Sequence, residues 1–362
     1  MSAVSSVEKI PKNLKDFGES EFQALAERLG QPAYRGRQIS KWVFEKGVSS
    51  FDEMTNLPKA LRETLKENFT IGGLDLRAER TSRDGTRKFL FATSKGAAVE
   101  TVLIPDGRRR TLCISTQAGC RMGCTFCVTG TLGLLGQLSS GDIVDQYLET
   151  GRRTGETVSH VVLMGMGEPL DNYDNVAQAV RTLTHPEWMG LSPRRVTLST
   201  CGLVPAMVRF KEEFPRVSLA ISLGAPDDER RNELIPVNRR YPLAALMEAC
   251  RELPLQPRER ITFEYILLEG VNDSAGDARS LARLVHGVRC KVNLIPFNPS
   301  PLLPYRRPGD GAVDRFARGL LARGVTVTVR KSRGRDIEAA CGLLAGGPPG
   351  PGPEARTGEA GG

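Results

Sequence analysis

From residue 111 to residue 330 the chain alternates short apolar runs with amphipathic stretches, and few folds accommodate that rhythm. The runs "TLCIS" (111–115), "HVVLM" (160–164), "VTLS" (196–199), "VSLAISL" (217–223), "ITFEYIL" (261–267) and "CKVNLI" (290–295) read as strands. "VTVTVR" (325–330) offers a further one. Helical periodicity falls between them at 141–152, 174–184, 242–252 and 276–287, the last preceded by the Asp and Ser start signals of "GVNDSAGDARS". Strands spaced by helices imply parallel βαβ units. Six units are too few for a closed eight-stranded barrel, so the expected fold class is α/β, a partial, open (β/α)6 barrel. Ligands of such folds bind at the carboxyl ends of the strands.

Other parts of the chain obey different rules. Residues 1–20 read as a flexible lead-in. Residues 21–85 read as a small helical accessory domain, in which "ESEFQALAERLG", "RGRQISKWVFEKG" and "LPKALRETLKENF" repeat apolar residues at helical spacing. "RKFLFATS" and "AAVETVLIP" then form a β-hairpin extension that opens a core over 86–345. The final segment, 346–362, is Gly/Pro-rich and lacks bulky apolar side chains, so disorder is expected there.

With Lys and Arg at 50 and Asp and Glu at 42, the chain carries +8, which is compatible with a polyanionic partner such as RNA. The basic residues of the N-terminal helices and Arg108, Arg109, Arg110, Arg194 and Arg195 are candidates to hold a phosphate backbone. No apolar run reaches the ~18–20 residues of a membrane span. The start shows no apolar core of a secretory signal, so a cytoplasmic protein without membrane association is expected.

"GCRMGCTFC" (119–127) places Cys120, Cys124 and Cys127 in a C-x3-C-x2-C pattern just after the first barrel strand. Three soft thiolates suit an iron–sulfur cluster or zinc. Structural zinc takes four protein ligands, and the nearest histidine is His160. Three cysteines on a four-iron cube leave one iron open to a substrate; a zinc site completed by a distant fourth cysteine remains the alternative.

The motif, with Phe126 before its last cysteine, resembles the radical S-adenosylmethionine (SAM) superfamily, whose fold is the same partial barrel. "GMGEP" (165–169) after "HVVLM" resembles that superfamily's turn for the amino group of SAM. Longer stretches resemble its dual-specificity RNA adenine C2-methyltransferases: "TLCISTQAGCRMGCTFCVTGTLGLLG", "RRVTLSTCGLVP", "AISLGAPDDERRNELIPVNRRYPL", "LIPFNPSP" and "VRKSRGRDIEAACGLLAG". The likeness spans about 20–345.

The resemblance implies a [4Fe-4S] cluster on Cys120, Cys124 and Cys127. It implies SAM contacts from Gly167, Glu168, Ser199, Ser222, Leu223, Gly224 and Asn298. The family usually has histidine where this chain has Gly224. Three catalytic positions follow: Cys341 carries a methyl group, Cys113 resolves the adduct, and Glu100 accepts a proton. Cys201, Cys250 and Cys290 read as small core residues.

Adenine C2 is electron-poor, so polar displacement of a methyl from SAM onto it is implausible. The family's route uses two SAM per turnover, a methylated Cys341, a covalent RNA adduct and a Cys113–Cys341 disulfide. Implied partners are 23S rRNA, tRNA and an electron donor such as flavodoxin or ferredoxin, with the enzyme a monomer. The competing readings are a related C8-methylating rRNA enzyme and a noncatalytic metal-containing RNA-binding protein.

Overall fold

The computed structural model describes residues 11–340 and 342–345. Three helices come first: α1 (Glu19–Arg28), α2 (Tyr34–Phe44) and α3 (Lys59–Asn68). They bury Phe22, Leu25, Ile39, Val43, Leu61 and Leu65, which recur every three or four residues and so share a face. A short parallel pair, β1 (Lys12–Asn13) and β2 (Phe69–Thr70), ties the two ends of this module together.

This corrects the flexible lead-in expected for 1–20. Leu14 and Phe17 are buried in the main core, and Lys15 makes a buried ion pair with Asp145. A stretch of six residues is too short to show a period, so only tertiary contact reveals its order. Residues 1–10 and the tail expected to be disordered, 346–362, lie outside the described residues.

The chain next runs through an antiparallel meander of β3 (Asp75–Thr81), β4 (Arg87–Ala92), β5 (Ala98–Asp106) and β6 (Arg109–Cys113). β3 falls inside the range expected to be helical. It is an edge strand whose residues alternate exposed and half-buried. Leu76 and Ala78 are its apolar residues, too few to signal a strand. A small antiparallel pair follows, β7 (Gln117–Cys120) with β8 (Gly133–Gln137), and the short helix α4 (Val128–Thr131) lies between them.

The barrel then proceeds as the alternation implies. α5 (Ser140–Thr154) leads to β9 (His160–Leu163), α6 (Tyr173–Thr184) to β10 (Val196–Thr200) and α7 (Val204–Glu213) to β11 (Ser218–Ser222). α8 (Asp228–Leu234) and α9 (Leu243–Glu252) precede β12 (Ile261–Leu267). α10 (Ala275–Leu284) precedes β13 (Cys290–Pro296), and α11 (Asp310–Leu321) precedes β14 (Val327–Val329). The ten-stranded sheet has the order β14-β13-β12-β11-β10-β9-β6-β5-β4-β3. Every neighbouring pair from β6 to β14 is parallel, so the expected strands stand in a partial barrel with the seventh added at one edge.

Local sequence sets the helix starts. Ser139 and Asp142 cap α5 reciprocally, and Ser274 and Asp277 do the same for α10. Val161, Leu198, Leu219, Ile221, Phe263 and Val292 are buried on the barrel strands. Their packing fixes the carboxyl ends on which the site is built.

Candidate active site

Cys120 ends β7, and Cys124 and Cys127 follow in the turn entering α4. The turn is closed by one hydrogen bond of its own and anchored from two sides. The Thr125 amide donates to the Leu234 carbonyl at 3.1 Å, and the Cys127 amide to the Cys124 carbonyl at 3.2 Å. The Thr125 and Tyr305 hydroxyls meet at 2.7 Å.

All three cysteines line one cavity at the carboxyl ends of the parallel strands. Burial pushes the Cys120 thiol up to about 12 and the Cys124 thiol well above its ordinary value, and the neighbouring cysteines push the same way. Left to themselves these thiols would stay protonated at neutral pH; coordination to a metal deprotonates them. Among the described residues no three His, Cys, Asp or Glu side chains converge closely enough to hold a single ion. Three soft donors that line one cavity fit a cluster whose irons each take one thiolate.

Gly167, Glu168, Ser199, Ser222 and Gly224 line the same cavity. Gly167 has φ +101°, and a Cβ there would lie 2.6 Å from the Gln117 Cβ, so the turn after β9 needs glycine. Glu168 is buried. One carboxylate oxygen accepts from the Cys201 amide at 2.8 Å, and the other from the Leu170 amide at 3.1 Å. Burial raises its pKa, and these hydrogen bonds oppose the rise.

Gly224, where the family usually has histidine, has φ +72°, and a Cβ on it would approach the Ile235 Cδ1 to 2.8 Å. Its carbonyl accepts from Asn272 Nδ2 at 2.7 Å. This position therefore offers backbone to the cavity. Leu223 is fully buried in the core, its side chain away from the cavity wall. Asn298 is buried beside two smaller neighbouring cavities.

The three catalytic candidates are placed differently. Cys113 is buried at the end of β6, in register with Val102 and Val162. Glu100 on β5 pairs with buried Lys88 at 3.0 Å and accepts from the Ala345 amide at 3.0 Å. Cys341 lies outside the described residues. Gly342, which follows it, lines the cavity, and its carbonyl accepts from the Val128 amide at 2.9 Å. The Thr129 hydroxyl donates to the Leu344 carbonyl at 2.5 Å.

Sequence reasoning missed three side chains here. Cys201 packs in a small core cluster, as expected, but also lines the cavity beside Glu168, and burial pushes its thiol well above the ordinary value. Glu264 faces the same cavity from β12, in register with Ser222, and accepts from Asn293 at 2.8 Å. The third is Arg231, fully buried behind the cavity wall. The strand period of "ITFEYIL" sets Glu264 with Thr262 and Ile266, opposite the buried Ile261, Phe263 and Tyr265, and does not say that this face lines a cavity; nothing in "DDERRNEL" separates Arg231 from a solvated helix face.

Comparison with known proteins agrees with this construction. Residues 12–71 match the family described as the ribosomal RNA large subunit methyltransferase N-terminal domain, and residues 114–282 match the radical SAM superfamily. A dual-specificity RNA methyltransferase RlmN of Anaeromyxobacter dehalogenans is 47% identical, the match covering 93% of each chain. The chain belongs to the RlmN family. Another RlmN, from Pelobacter propionicus, is 49% identical over 92% of this chain and 96% of its own. The crystal structure of a radical SAM methyltransferase from Sphaerobacter thermophilus superposes with a TM-score of 0.89 at 44% identity. It covers 93% of this chain and 100% of its own. Membership of the RlmN family, within the radical SAM superfamily, brings with it a four-iron cluster and SAM. Among the described residues no helix is long and apolar enough to cross a membrane.

Proposed function

We propose that the protein is an RNA methyltransferase that places a methyl group on C2 of an adenine in 23S rRNA and in tRNA. The observation that carries this reading is one cavity that gathers Cys120, Cys124, Cys127, the Glu168 turn and Gly342, the neighbour of Cys341. Relatives named dual-specificity RNA methyltransferase RlmN support the substrate class.

Cys120, Cys124 and Cys127 would hold the cluster. Glu168, with Gly167, would receive the ammonium of SAM, while Ser199, Ser222, Asn298 and the backbone of 223–224 would meet the rest of it. The cluster and SAM together supply one-electron chemistry able to remove hydrogen from a methyl group. Cys341 would hold that methyl as a thioether and so bring it to the base covalently. Glu100 would take the C2 proton; its carboxylate is already oriented by Lys88 and by the Ala345 amide. Attack of the Cys113 thiolate on the Cys341 sulfur would then form a disulfide and break the bond from that sulfur to the methylene on C2, whose carbon would take up a proton to become the methyl group.

The helical module closed by β1 and β2 would serve the RNA. The target base has to leave its stack to enter the cavity, so loops and single strands are the expected substrates. Mass spectrometry of nucleosides from RNA treated with reconstituted enzyme, SAM and reductant tests the reading. 2-Methyladenosine is expected; 8-methyladenosine as the main product, or no methylated adenosine, overturns it. In Cys113→Ala a protein–RNA adduct should persist, and normal turnover would remove Cys113 from the scheme.

A further inference from the structure

Arg231 is completely buried, and its hydrogen bonds run to neutral groups. Nε donates to the Leu223 carbonyl at 2.9 Å, Nη1 to the Asn238 side-chain oxygen at 2.6 Å, and Nη2 to the Cys201 and Ser222 carbonyls at 2.8 and 3.2 Å. A buried guanidinium without a carboxylate costs several kcal/mol, of order that of any unpaired buried ion. Two carboxylates lie one residue further along its hydrogen bonds: exposed Asp228, reached by way of Asn238 at 2.8 Å, and buried Glu168, which accepts from the Cys201 amide at 2.8 Å.

The three carbonyls are not an arbitrary set. Cys201 directly follows β10, which carries Ser199; Ser222 ends β11, and Leu223 follows it. The Cys201 peptide is gripped from both sides, its carbonyl by Arg231 and its amide by Glu168. The same helix, α8, ends at Leu234, whose carbonyl accepts from Thr125, the residue after Cys124. Arg231 therefore stands behind both halves of the site. The cluster proposed for the facing cavity is anionic once three thiolates bind it, which adds to the counter-charge that Glu168 and Asp228 give the buried cation.

We propose that Arg231 is a positioning residue for SAM and an electrostatic determinant of the cluster. Its fork holds the ends of β10 and β11 at the spacing that presents Ser199, Ser222 and Glu168 to SAM. Its charge favours the reduced, more negative cluster. The inference rests on the cluster reading above, and wild-type iron content tests that reading separately.

The experiment compares wild type, R231M, R231K and D228N after anaerobic reconstitution. SAM affinity is read by equilibrium dialysis and the cluster potential by redox titration followed by electron paramagnetic resonance. R231M should lower the reduced-to-oxidised ratio at fixed potential at least tenfold, a shift of about 59 mV for one electron. It should weaken SAM binding at least tenfold as well. R231K keeps the charge but loses the planar fork, so SAM binding should fall while the potential stays near wild type. D228N removes an exposed negative charge and should raise the ratio at least twofold, serving in place of R231M if that variant does not fold. An unmoved potential in R231M, or in D228N as its substitute, overturns the electrostatic role. Wild-type SAM affinity in R231K overturns the positioning role. Wild-type protein that assembles no cluster would instead sink the reading on which the inference rests.

Discussion

Removing the Lys88 ammonium should leave a carboxylate stranded in the core, and the cost should depend on pH. Lys88 Nζ lies 3.0 Å from a Glu100 oxygen, and the two side chains are 6% and 3% exposed. In Lys88→Met, Glu100 has two choices. It can stay ionised without its partner, at about 3–5 kcal/mol. It can instead take up a proton, which at pH 7 costs a carboxyl of ordinary affinity (pKa about 4.3) about 3.7 kcal/mol. The cheaper option sets the penalty, so about 3–4 kcal/mol is expected at pH 7. At pH 5.5 protonation costs about 1.6 kcal/mol, and the penalty should shrink to that. Without the Lys88 cation the buried carboxylate is disfavoured, so the variant loses stability as pH rises. Urea denaturation of the apoprotein, followed by tryptophan fluorescence at both pH values, measures this. Adding Glu100→Gln to the variant should abolish the pH dependence. Equal penalties at pH 7 and 5.5, or a cost under about 1 kcal/mol at pH 7, would refute the reasoning.

Two further outcomes are expected. Gly224→Ala should lose about 1–3 kcal/mol, because the new methyl meets Ile235 Cδ1 at 2.8 Å on a left-handed backbone. Adding Ile235→Val should restore part of the loss, and a neutral Gly224→Ala in thermal unfolding would contradict the geometry. Asp84 links the turn before β4 to Gly334, accepting from the Gly334 amide at 3.0 Å. Burial alone would raise its pKa, but hydrogen bonds from Thr86, Gly334 and Ser82 outweigh it and hold the carboxyl at about 2. Its contribution is therefore intact above about pH 4 and lost as pH falls towards 2. Pepsin cleavage within 330–340 should rise across that window in the wild type, whereas Asp84→Asn should be cleaved readily throughout; equal cleavage of the two would count against the link.

The barrel was legible because its strands are long enough to declare themselves. "ITFEYIL" and "CKVNLI" carry six of the seven paired registers between β12 and β13, and runs of that length with helices between them leave little alternative. The cysteine loop was legible because ligand spacing is local in sequence. The Lys15–Asp145 pair lies 130 residues apart, and no local pattern announces it. The edge strand β3 was hidden because its charged residues face solvent. Arg231 was hidden because charge in a helix ordinarily signals exposure, and here strand-end carbonyls solvate it instead of water. The backbone role of Gly224 needed its φ, which no composition supplies.

The hydrogen bond from Thr129 to Leu344 spans 215 residues of sequence. At synthesis rates of about 5–20 residues per second, some 10–40 seconds separate the emergence of its two partners. During that interval the cysteine loop has left the ribosome while the segment that closes over it has yet to be made. The wall of the cysteine cavity is therefore complete only after Gly342 and Leu344 have been made and have docked against α4.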